Sequence, residues 1–409
     1  MTRGETMPPI APVDVSDAAL YTEDRWRAPF AAMRRDMPVA YHPESPYGPY
    51  WSVTSHDLIQ HVEGQPAIYS SSFDVGGITI GDNIESSDRE FPNFIAMDGE
   101  KHREQRRVVA PSFTPSEIVR LEALVRRRTR ELMDSLPRGE TFDWVETVSI
   151  PLTIGMLCIL FDFPWEERHD LKRWSDWASQ VSPDNSEERY MQFMEQMGQM
   201  LTRFDQLLEE KRALPPTDNL LSRVIHSKAM GDMPPMERIA NIALLIVGGN
   251  DTTRNSMSGF IEAINLFPDA LAKLRADPSL IANAAQEIVR WQSPVTHMRR
   301  TALKDVELGG QQIKAGSKVV LWYISGNRDE SVFSNPDSYD VTRTNSRRHV
   351  GFGFGVHRCV GARLAELQLD AVIREIVERG WTVQMDGAPE RMENCFLHGF
   401  NHLPVRIPA

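Results

Sequence analysis

The spacing of hydrophobic residues changes period several times along the chain, and those changes divide it. From 38 to about 70, aromatic and β-branched residues alternate with turn residues, most clearly over 46–53, before a short helical stretch begins near Ser55. This predicts a strand-rich lobe over 38–70. Between 73 and 97 no period survives, and Gly76, Gly77 and Gly81 sit among several acids. A loop of that length in a compact fold is usually functional, so it is a candidate lid. From about Glu100 to Gln292 apolar residues recur at helical spacing, broken at Pro111, Pro137, Pro164, Pro183, Pro215-Pro216 and Pro234-Pro235. Strands return over 304–325 around a Gly309-Gly310 turn, and Ala362 to Arg379 reads as a last amphipathic helix closed by Gly380. The expected fold is mainly α with small β-sheets, its helical lobe covering 100–292 and 360–380. With no long linker and no internal repeat, 1–409 reads as one domain.

Composition narrows the function. The 41% hydrophobic and 25% charged residues are those of a globular chain, which excludes disorder as its main state. Against 57 Asp and Glu stand 45 Lys and Arg, a net charge of −12 that repels nucleic acid and anionic lipid. Cys158, Cys359 and Cys395 lie too far apart for a paired-cysteine zinc site or a disulfide framework, which fits a reducing, cytoplasmic location. The longest apolar run, 150–163, is too short to cross a bilayer, and the N-terminal segment carries acids and prolines rather than an apolar leader. No integral membrane insertion is expected.

The most informative segment is Phe352-Gly353-Phe354-Gly355-Val356-His357-Arg358-Cys359-Val360-Gly361. It presents a sulfur at the start of the last helix, where backbone N–H groups and the helix dipole favour a thiolate. Gly353, Gly355 and Gly361 are expected to take positive φ and to let the backbone approach a flat object such as a porphyrin. On these residues alone Cys359 could be a buried apolar thiol, a nucleophile or a soft-metal ligand. The spacing resembles the haem-binding signature Phe-x-x-Gly-x-His/Arg-x-Cys-x-Gly of the cytochromes P450, the haem-thiolate monooxygenases.

Other motifs follow in the order that this resemblance requires. Glu287 and Arg290 stand one turn apart on a helix and can pair; the resemblance adds Arg343, of Asp340-x-x-Arg343, and makes the three a structural triad. An apolar helix from Ile239 is interrupted by Gly248-Gly249-Asn250-Asp251-Thr252-Thr253. Thr252 is four residues after Gly248, so its hydroxyl can bond that carbonyl and open the helix. This resembles the family's Gly-x-Asp-Thr-Thr oxygen-activation motif, which makes Asp251 and Thr252 the proton-delivery pair. The resemblance also places His102, Arg106, Arg300 (rather than Arg299) and His357 on the haem propionates, and Phe352, Gly353, Gly361 and Gly249 against the ring.

What the resemblance implies is an enzyme holding haem b (iron protoporphyrin IX) through Cys359 and inserting one atom of O2 into a C–H bond. The chain has no nucleotide-binding glycine fingerprint, so electrons must come from another protein. The expected donor is an acidic ferredoxin, served by ferredoxin reductase, that docks on Lys101, Arg103, Arg106, Arg107, Arg347, Arg348 and Arg358. The runs 248–257 and 294–301 look like the bacterial branch that hydroxylates terminal carbons of alkanes and fatty acids. A hydrophobic linear substrate would then lie against Leu244, Val247, Gly248, Val295, Met298 and Leu397, and no cation for an acidic head is evident. A terpene or aromatic substrate, and a non-enzymatic haem sensor, are the alternatives.

Overall fold

The computed structural model describes residues 9–81, 92–179 and 186–409. Its elements are mainly helical with small sheets, the expected class. Helices Gly99–Val109, Pro115–Asp134, Ile150–Phe161, Arg168–Ala178, Glu187–Arg212, Pro235–Leu266 and Ile281–Gln292 change over at the proline positions, apart from Pro183, which lies outside the described residues along with 82–91 of the candidate lid. Ala362–Glu378 is the last helix, and Gly380 follows it at φ +65°.

The long helix Pro235–Leu266 is the axis of the helical lobe. It packs on Arg168–Ala178, Ile150–Phe161, Ile281–Gln292 and Ala362–Glu378, and every residue from Thr253 to Ile264 is buried. Completely enclosed side chains such as Phe260 and Ile261 each contribute about 1.5–3 kcal/mol by leaving water. The expected interruption at Gly248-Gly249 is absent: the helix runs through it. Glycine in a helix costs about 1 kcal/mol against alanine, and close packing offsets it here, since a Cβ on Gly249 would lie 2.7 Å from Leu157 Cδ2.

The main sheet has the order Val39–His42, Tyr50–Val53, Lys318–Leu321, Met298–Ala302, Tyr69–Ser70, with the second and third strands parallel. The strand Met298–Ala302 was not anticipated. Its Arg299 and Arg300 disguise it, yet all but Met298 are buried, and alternation sends the two arginines to opposite faces. Val306–Leu308 and Gln311–Ile313 form the hairpin about Gly309-Gly310, both at positive φ. A strand at Thr141–Asp143 breaks the predicted helical run, because Pro404–Arg406 at the end of the chain pairs with it.

Candidate active site

The cysteine loop and the middle of the long helix face each other across a cavity of 560 Å³. Cys359 is in its wall, fixed by its own N–H to the Phe352 carbonyl at 2.8 Å. Gly353 and Gly355 take φ +67°, whereas Gly361 sits at φ −87° as the residue before the last helix, so the expectation of positive φ fails there. The sulfur's accessible surface opens into the cavity. Burial pushes the Cys359 thiol up, outweighing the Gly361 N–H and the charges of Arg358 and Arg106.

Arg106, Arg300 and His357 line the same cavity on the loop's side. Arg106 donates to the Arg358 carbonyl, which ties the helix Gly99–Val109 to the loop. Arg299 is turned the other way, toward the Val75 and Gly81 carbonyls. His102 is outside the wall, with its ring 4.3 Å from that of His357. Burial holds His102 down to about 4 and also lowers His357. Neither nitrogen of His357, nor Nε2 of His102, has a hydrogen-bond partner among the described residues. Asp98 Oδ1 is 3.9 Å from His357 Nε2, too far to serve. Orphaned imidazole nitrogens beside two arginines are what a pair of buried carboxylates would satisfy.

Across the cavity, Thr252 Oγ1 donates to the Gly248 carbonyl at 2.9 Å, and Thr252, Gly248 and Gly249 face the open space. Among the described residues, nothing lies within 4 Å of where a Cβ on Gly248 would stand. Asp251, one residue along and about 100° around the helix, is not in the wall. It is fully buried in a network, pairing with Arg254 Nη2 at 2.7 Å and accepting from Ser175 Oγ at 2.9 Å. Arg254 reaches on to Asp176 at 3.3 Å, which is partly exposed. Burial raises the Asp251 carboxyl despite the Arg254 charge. Leu244, Val247, Val295, Met298 and Leu397 complete an apolar wall, and an isolated bridge pairs Val295 with Leu397.

A family model described as Cytochrome P450 matches residues 156–400. Linalool 8-monooxygenase of Pseudomonas putida is 38% identical over 404 residues, 96% of this chain and 98% of that protein. The chain belongs to the cytochrome P450 family. A methyl-branched lipid omega-hydroxylase of Mycobacterium tuberculosis is 32% identical over 419 residues, 98% of this chain and 96% of that one. The solved structure of cytochrome P450-153 from Novosphingobium aromaticivorans superposes with a TM-score of 0.92 at 52% identity, covering 96% of this chain and 99% of that one.

Membership makes this chain a P450 monooxygenase, an oxidoreductase, and implies a haem-thiolate cofactor acting with O2 on hydrophobic substrates. The residues present fit that group: a sulfur-bearing residue in the cavity wall, a glycine cradle, and an imidazole, His357, with neither nitrogen partnered among the described residues and with Arg106 and Arg300 in the same wall. Outside the cavity, Glu287, Arg290 and Arg343 come together with no exposed member. Glu287 accepts from Arg290 Nη2 at 2.7 Å and from Arg343 Nε at 2.9 Å. Sequence reasoning missed Arg189 and Tyr190, which reach the cavity from the first turns of Glu187–Arg212. The signal was faint: Ser186, Arg189, Tyr190, Phe193 and Met197 share one helical face, with the polar members at its start. Among the described residues no helix is long and apolar enough to cross a membrane.

Proposed function

We propose that this P450 hydroxylates the terminal carbon of medium-chain alkanes or fatty acids, with haem b as cofactor and a ferredoxin, served by ferredoxin reductase, as electron donor, in the cytoplasm. The observation that carries the reading is the apolar wall leading to Cys359. Terminal C–H bonds are stronger than internal ones, so selectivity for the end of a chain must be steric. Leu244, Val247, Gly248, Val295, Met298 and Leu397 would hold the chain end-on. The name omega-hydroxylase of one relative supports the same outcome.

Bound haem-thiolate would supply the activation of O2 that inserts one oxygen atom into the C–H bond. Cys359 would ligate it, Arg106, Arg300, His102 and His357 would hold its propionates, and Phe352, Gly353, Gly361 and Gly249 would flank the ring. Asp251 would hold a proton on its buried carboxyl and exchange it with solvent by way of Arg254 and Asp176. Thr252 would present its hydroxyl to the cavity as the last donor. Replacing Thr252 by alanine is expected to keep most of the reductant consumption while diverting electrons to free hydrogen peroxide. Product formed per electron should fall by about tenfold or more; an unchanged yield would remove Thr252 from this role.

For the donor, Phe354 and Val356 are exposed beside the cysteine, at 42% and 45%, with exposed Arg347, Arg348 and Arg358 nearby in sequence and exposed Arg107 on the helix Gly99–Val109. Lys101 is engaged by Glu237 at 2.8 Å and Arg103 by Glu100, which trims the docking set.

Arg189 and Tyr190 line the cavity, and there they would offer an acidic head a cation and a hydroxyl. A panel of dodecane, dodecanoic acid and linalool, turned over with ferredoxin and its reductase, tests the reading. Terminal alcohols from the linear substrates support it, and oxidation of linalool alone overturns it in favour of a terpene hydroxylase, the second reading that the 38% relative's name favours. R189Q should weaken the spin-state response to dodecanoic acid by about 10-fold or more, the worth of a charged hydrogen bond, and leave dodecane binding unchanged. Equal losses for both ligands would mean that Arg189 only supports the fold.

A further inference from the structure

Glu63 closes the helix His56–Glu63, a position where an acid opposes the helix dipole and would ordinarily point to water. Here its side chain turns inward and is buried at 4% exposure. Oε1 accepts from Arg300 Nη2 at 3.0 Å and from the Tyr323 hydroxyl. Oε2 makes no hydrogen bond among the described residues. The cysteine loop lies directly on residue 63: a Cβ at Gly353 would stand 3.6 and 3.8 Å from the two carboxylate oxygens, and one at Gly355 would meet the Glu63 carbonyl at 2.6 Å. Arg300 donates its other terminal nitrogen to the Arg299 carbonyl at 2.7 Å, so its guanidinium is clamped from both sides while it lines the cavity.

This geometry has a cost that packing does not require. Haem brings two carboxylates, and the cations that would meet them without needing a proton are Arg106 and Arg300, since burial keeps His102 and His357 below the ordinary imidazole range. Glu63 adds a third carboxyl to that balance and spends part of Arg300. Glutamine would fill the same volume and keep both hydrogen bonds on Oε1. A negative charge held near a redox centre, in a medium less polarisable than water, disfavours the addition of an electron.

We propose that Glu63 is a positioning residue of the cofactor site, which fixes Arg300 in the cavity wall and whose negative charge lowers the reduction potential of the bound haem. Burial raises this carboxyl, while the Arg300 charge and the Tyr323 hydroxyl oppose that, so the measurement belongs at pH 8, the alkaline side that favours the charged form. The proposal rests on the haem-thiolate reading of the cavity.

The test is a dithionite redox titration of the holoprotein, one electron taking ferric to ferrous haem. E63Q is expected to favour the ferrous form about tenfold more than the parent protein, a rise of about 59 mV, with the carbon monoxide band unchanged. An unshifted potential overturns the charge effect. E63D keeps the charge but withdraws it from Arg300. It should hold the parent potential and lose haem to apomyoglobin several-fold faster, and it decides the matter if E63Q does not assemble. A potential displaced as in E63Q, or a parental rate of haem loss, overturns the proposal. A parent protein with no red-shifted carbon monoxide band would fail the cofactor reading instead.

Discussion

Replacing Cys359 by serine is expected to abolish the red-shifted Soret band of the dithionite-reduced, carbon monoxide-saturated protein and to reduce monooxygenase turnover by about three orders of magnitude or more, the scale on which losing a covalent participant acts. Serine fits the space of cysteine, and the backbone N–H of residue 359 would still bond the Phe352 carbonyl. The fold should therefore survive, with a far-ultraviolet circular dichroism spectrum like that of the parent. What changes is the ligand. The Cys359 thiol, though raised by burial, loses its proton far more readily than a hydroxyl does once a cation is there to receive the anion. A serine variant that retained the band would show that the sulfur is not the ligand, and the rest of the site would have to be read again.

Much of this site was legible because its chemistry is local in sequence. The loop from Phe352 to Gly361 places its glycines and its sulfur within ten residues, and the Glu287–Arg290 pair needs only one helical turn. What could not be read depends on partners far along the chain. The strand Met298–Ala302 looks polar until Lys318–Leu321 and Tyr69–Ser70 enclose it. The glycine pair at 248 and 249 suggested a broken helix, whereas Leu157, about ninety residues earlier, turns one of the two into a packing contact. Glu63 reads as an ordinary surface acid at a helix end, and it is enclosed by Arg300, Tyr323 and the cysteine loop, all more than 230 residues further along the chain. Asp251 and Thr252 show a subtler limit. Adjacent residues on a helix cannot share a face, so the motif that names them together conceals that one faces the cavity and the other a polar network behind it.

The triad carries the largest expected effect on folding. Glu287 has no exposed surface and is held by two arginines, Arg290 twice over at 2.8 and 2.7 Å. Arg290 also donates to the carbonyls of Asn327, Pro336 and Ser338, and Arg343 to those of Ser334 and Asn335. These bonds splice the helix Ile281–Gln292 onto the irregular segment from 327 to 343, which leads into the cysteine loop. E287Q keeps the shape and removes the one anion between two buried cations. Breaking a buried pair in this way costs about 3–5 kcal/mol, because the remaining charges stay desolvated and uncompensated. Since native folds are stable by only about 5–15 kcal/mol, most of the haem-loading capacity should go with it. Thermal unfolding together with the ratio of Soret to protein absorbance measures both. A variant that melts within a degree or two of the parent and loads a full complement of haem would mean that the arginine-to-carbonyl bonds, rather than the ion pairs, hold this part of the molecule together.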